Sequence, residues 1–177
     1  MKKSILVPAV LMIAAIFSCS AFAADANKIG MINFEKILKE SSAGKVTQKE
    51  LQAKLDELKE KLQAEEKKIQ DMKVALDREA LVLSAEKKLE RQRELRDRVD
   101  DLKKMNADYT QEMQMLQNKK MNEMQKDVFD IANKIGTQKG YLLIIERKGA
   151  GVIFAADKVD ITDEVIKEYN AVYAEKK

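Results

Sequence analysis

The 177-residue chain has no histidine, no tryptophan, one cysteine, one proline and six glycines. Each shortage excludes something. Without histidine, and with its cysteine near the N-terminus at Cys19, the remainder offers no imidazole base, no thiolate nucleophile and no nitrogen/sulfur zinc site. A single cysteine forms no intramolecular disulfide, so stability must come from packing or from association. No P-loop, G-x-G-x-x-G or G-x-S-x-G motif is present. Carboxylates and lysines are abundant but spread evenly along polar faces, as on a solvated surface. The expectation is a protein that is not an enzyme and uses no cofactor or metal.

Apolar residues run long only at the start. Lys2 and Lys3 precede an apolar stretch from Ile5 to Phe17, and Ala21-Phe22-Ala23 is a small-x-small cleavage site. Residues 1–23 therefore read as a secretory signal peptide cut after Ala23, too short in its apolar part for a membrane span. An alternative reading of Ile16-Phe17-Ser18-Cys19 is a lipoprotein processing site that would leave Cys19 lipidated. Cleavage after Ala23 removes Cys19, Pro8 and two lysines, leaving 31 basic against 30 acidic residues. So even a balance gives no electrostatic reason to expect nucleic acid as a partner.

The glycines, at 30, 44, 136, 140, 149 and 151, mark the organisation. Residues 45–135 contain neither glycine nor proline and are rich in Glu, Lys, Leu, Gln and Met, which predicts long helix. Segments 28–32, 141–145 and 152–154 read as short strands, with Gly149-Ala150-Gly151 as the turn between the last two. The apolar run at 141–145 suggests a strand buried on both faces. A last helix is expected from Thr162, capped by its hydroxyl, with Asp163 and Glu164 in its first turn.

Heptads divide the helical stretch. Leu51, Leu55, Leu58, Leu62, Glu65, Ile69, Met72 and Leu76 follow a 4-3 spacing, apolar except at Glu65. The register fails from Glu79 onward, and a new seam begins at Leu95, Val99 and Leu102, continuing through Tyr109, Met113 and Leu116. A continuous coiled coil accommodates that slip poorly, so an antiparallel hairpin with its tip near 77–85 is predicted, Ser84 capping the second limb. Beyond Leu116 the seam is expected to jump five residues to Met121 and on to Met124, Val128, Ile131 and Ile135. The predicted fold is α+β. A β-rich body comes from residues 24–42 and 136–177, and a helical arm, residues 43–135, is inserted between its first and second strands. A body of about 60 residues with three short strands buries too little by itself, which makes oligomerisation a physical expectation.

Three groups stand out as contact candidates. A tight turn cannot bury all of Ala80-Leu81-Val82-Leu83, so Leu81 and Val82 are expected to be exposed while others close the turn. Met105 and Met115 do not sit clearly on the seam, and flexible thioethers suit surfaces that receive varied apolar partners. Arg91, Arg93, Arg96 and Arg98 concentrate guanidinium groups near the tip, as a solvated face or as a contact for anionic lipid or lipopolysaccharide.

The stretches "KIGMINFEKILKES" (28–41) and "GYLLIIERKGAGVIFAADKVDITDEVIKEYN" (140–170) resemble the Skp/OmpH family of periplasmic chaperones, most specifically at Asp160-Ile161-Thr162-Asp163-Glu164-Val165. The resemblance implies a homotrimer whose three arms enclose a cavity holding unfolded outer-membrane β-barrel proteins without ATP. Some members of that family are strongly basic. This nearly neutral chain shifts the weight of client capture toward Leu81, Val82, Leu83, Met105 and Met115. Two other readings are a coiled-coil envelope spacer or adaptor, lipid-anchored through Cys19, and a polyanion binder using the arginines.

Overall fold

A computed structural model of the protein describes residues 28–175; the leader, the cleavage after Ala23 and Cys19 lie outside the described residues. The elements in order are β1 (Ile29–Ile32), α1 (Phe34–Glu40), α2 (Ser42–Glu79), α3 (Ala85–Lys139), β2 (Leu143–Glu146), a 3-10 turn (Asp157–Val159) and α4 (Thr162–Glu175). The fold is α+β, with the α2–α3 hairpin standing between the two strands. β1 and β2 pair in parallel, Gly30 opposite Ile144 and Ile32 opposite Glu146. Parallel neighbours need a long crossover, and here the whole hairpin serves as one. On the other side of β1, the Ile161 N–H donates to the Met31 carbonyl at 2.9 Å. β1 is thus enclosed on both sides, whereas β2 is an edge strand among the described residues.

Helix α2 leaves α1 through a sharp corner. The buried Ser41 ends α1 and caps α2, its hydroxyl accepting the Gly44 N–H at 3.0 Å. A Cβ on Gly44 would fall 2.0 Å from the Leu38 carbonyl oxygen, so only glycine lets the two helices approach this closely. At the tip the chain reverses over residues 80–84, and the Ser84 hydroxyl accepts the Lys87 N–H at 3.3 Å to start α3. Gly140, with φ of 67°, ends α3 in the left-handed conformation that favours glycine.

All eight first-limb positions from Leu51 to Leu76 are buried or half-buried, and the second-limb seam from Leu95 to Leu116 is half-buried throughout. Near the root the seam departs from the sequence-based reading. Met121 is exposed, and its expected place is taken by Lys120, whose stem is half-buried while its ammonium reaches Glu50 at 2.7 Å. The spacing is therefore a regular Leu116, Lys120, Met124. Where the seam ends, the core begins: Val128, Ile131 and Ile135 of α3 meet Ile32 of β1, Ile37 of α1, Ala43 of α2, and Val165 and Tyr169 of α4. The Tyr169 hydroxyl lies 3.5 Å from Asp127, and Asn170 accepts the Ser42 N–H at 2.7 Å, so α4 grips both limbs at their root.

Three expectations need correction. Segment 152–154 is not a strand: residues 152–156 form no regular element, and although the Val152 N–H donates to the Arg147 carbonyl at 3.0 Å, no strand among the described residues pairs with them. The run 141–145 is not buried on both faces, since Leu142 and Leu143 are exposed and only one side of β2 is covered by helix. The Thr162 hydroxyl does not cap α4; it accepts the Asn33 N–H at 2.9 Å and ties α4 to the end of β1.

One carboxylate joins the end of β2 to the start of α1. Burial pushes the Glu146 carboxyl up, but the N–H groups of Gly149, Lys148 and Phe34 outweigh it and leave its pKa lowered. Beside it, hydrogen bonds from Lys148 and then Lys39 hold Glu35 at about 2 against an ordinary 4.5. Both folded-state values lie below the unfolded ones, so the stabilisation is present above pH 4.5 and is lost as pH falls from there toward about 2. The urea midpoint should drop across that window, and Glu35→Gln combined with Glu146→Gln should flatten the drop. An equally steep profile in the double variant would place the acid sensitivity elsewhere. Gly44→Ala tests the corner by sign. In a free helix it would stabilise by about 1 kcal/mol. Here the overlap with Leu38 should destabilise by about 1–3 kcal/mol in urea titrations followed by circular dichroism.

Candidate functional site

The tip divides the apolar run evenly. The N–H groups of Val82 and Leu83 both donate to the Glu79 carbonyl at 3.0 Å and close the turn. Ala80 and Leu83 are half-buried against the limbs, while Leu81 and Val82 are 96% and 82% exposed. No described residue covers these two.

The other candidates do not converge with them. Met105 is half-buried on the seam, and Met115 is exposed on the side of α3 turned away from α2. The arginines are dispersed round the helix. Arg91 pairs with Glu94 at 3.4 Å, and Arg98 reaches across to Glu65 at 3.3 Å. Arg93 lines a shallow groove with Glu86, Glu90, Glu94 and Asp97, so its charge is locally balanced. Arg96 is exposed. The nearly buried Glu65 is the charged position within the first limb's seam. Lys68 holds its carboxyl low first of all, against burial, and Arg98 adds to the effect.

Most of the exposed large apolar residues lie at the base, in keeping with the expectation that so small a body buries too little by itself. Ile29, Phe129, Leu142 and Leu143 are exposed, and Ile153 and Phe154 stand 96% and 84% clear of the chain. A groove of about 540 Å³ runs between α3 and β2, walled by Phe129, Ala132, Gly136, Tyr141, Leu142 and Ile144. The signal is in the sequence, in the apolar runs at 141–145 and 152–154. Those residues are apolar, but one chain leaves a large part of them uncovered. Among the described residues no group of acidic side chains is arranged to hold a metal, and no helix is long and apolar enough to cross a membrane.

A comparison with curated proteins returns no match. Among solved structures, a protein of Caulobacter crescentus CB15, provisionally described as an outer membrane chaperone (OmpH-like), superposes with a TM-score of 0.77. It shares 14% sequence identity, and the match covers 82% of this chain and 85% of that one. At such identity the likeness is one of fold. The family model for outer membrane protein (OmpH-like) matches residues 28–169, from the start of β1 into α4. That match takes in both strands, the whole hairpin and the closing helix, and the chain belongs to the OmpH-like family.

Proposed function

We propose that the protein is a periplasmic holdase chaperone. It works as a homotrimer whose three arms enclose a cavity, binding unfolded outer-membrane β-barrel proteins and preventing their aggregation without ATP. The observation that carries this reading is the uncovered apolar base: a β2 edge left open among the described residues, the groove beside it, and Ile153 and Phe154 exposed on a segment outside any strand. Exposed edges and apolar patches of this kind are aggregation hazards unless another chain covers them. Copies meeting through their bases would project their hairpins to the same side. Each α2, with 38 residues, is about 57 Å long at 1.5 Å per residue, enough to bound a protein-sized space.

Client binding is then the sum of many weak contacts, which suits clients that share no fixed sequence. Leu81 and Val82 contribute at the tips, and Met115 along the arm. Diluting a urea-unfolded porin into the protein should leave the porin soluble at stoichiometric ratio without nucleotide. Porin that aggregates as fast as in buffer alone would contradict the proposal. Leu81→Ser with Val82→Ser should change stability by no more than about 0.5 kcal/mol, since both are exposed. It should weaken porin retention about 2- to 10-fold, because each apolar contact supplies only a few kcal/mol at most. The mature sequence has no tryptophan, so porin fluorescence reports retention without background. Loss of arm helicity in that variant would instead make the two residues part of the turn's packing.

A further inference from the structure

The face of α3 turned away from the α2 seam has a composition unlike the rest of the arm. Gln111, Met115, Asn118, Asn122, Gln125 and Phe129 repeat at 4-3 spacing and are all exposed. Ala132 and Gly136 continue the same spacing into the groove at the base. Eight of the 26 residues from Gln111 to Gly136 are charged, and none of the eight falls on this stripe. A solvated helix face in a chain that is 36% charged should carry several.

The stripe is also a poor helix-packing seam. The seam against α3 on the first limb is apolar at seven of eight positions, whereas here four of eight are amides. Asn118, Asn122 and Gln125 make no side-chain hydrogen bond among the described residues. An amide both donates and accepts without formal charge, so it pairs with a peptide N–H or C=O whatever the neighbouring side chains are. Met and Phe add adaptable apolar contact.

We infer that this stripe is the track along which an extended segment of unfolded polypeptide lies, held by amide-to-backbone hydrogen bonds. The inference rests on the holdase reading and names the arm face that carries it. Continuity supports the assignment: the stripe runs through Ala132 and Gly136 into the uncovered groove at the base, so arm and base share one uncharged surface. Length supports it too. From Gln111 to Gly136 the stripe is about 37 Å long at 1.5 Å per residue, room for about 11 extended residues at 3.3–3.4 Å each. That is the length of one membrane-spanning β-strand, about 9–11 residues.

The test uses the full-length chain carrying a photo-crosslinking amino acid at Asn118 or Asn122, or at Glu123 or Asp130 on the charged flank. With urea-unfolded porin added, crosslinks to porin at 118 and 122 should exceed those at 123 and 130 by about an order of magnitude. Asn118→Gln with Asn122→Gln should retain porin, whereas Asn118→Glu with Asn122→Glu should lose most of it at unchanged helicity. Porin held equally well by the Glu variant, or crosslinked equally from stripe and flank, overturns the stripe while leaving the holdase reading intact. Crosslinks between copies at 118 and 122, unchanged by porin, would make the stripe a helix–helix contact and also overturn it. Porin not held by the parent protein at all overturns both.

Discussion

Everything in this molecule depends on one small cluster at the root of the arm. Val128, Ile131 and Ile135 of α3 are gripped by residues from β1, α1, α2 and α4, and the disulfide-free chain has no other compact core among its described residues. Because α3 is continuous from that cluster to the tip, orientation set at the root is carried along the full limb. The Ser41–Gly44 corner fixes where α2 leaves, and α4 closes over both limbs through Asn170 and Tyr169. The base is therefore built to hold an arm rather than to bury itself. Its own apolar strand face stays uncovered as a direct consequence.

Features governed by local periodicity were legible from the sequence. The 4-3 run from Leu51 to Leu76 requires only that one helix face meet another, and the structure buries those same positions. The phase slip between limbs pointed to a reversal because no coiled coil absorbs it, and the turn at residues 80–84 follows. The split within Ala80–Leu83 was readable from the size of a turn. The junction at Leu116 was not. Lys120 occupies a seam position with its aliphatic stem and sends its charge to Glu50, and a search for apolar letters passes over it.

What the sequence obscured is the local course of the base, although the body's small size already pointed to association: 152–154 forms no strand, and 141–145 is covered on one side only. Residues 141–145 and 152–154 are apolar in the manner of buried strands, yet the described residues cover only one side of β2 and supply no strand to pair with residues 152–156. Apolarity records the need for burial, not which molecule provides it. Thr162 shows the same limit at small scale, its hydroxyl spent on Asn33 across the fold instead of on its own helix. The arginines near the tip looked like a cluster because they are close in sequence; helical geometry scatters them and pairs two with acids.

The proposed holdase requires copies that join through their bases to enclose a client. Native mass spectrometry of the mature protein, alone and after dilution of urea-unfolded porin, addresses both halves at once. The expected spectra show a trimer without client and a complex of three chains with one porin, formed without nucleotide. A monomer that binds porin with no change in its own association, or a trimer that leaves the porin to aggregate, would contradict the account.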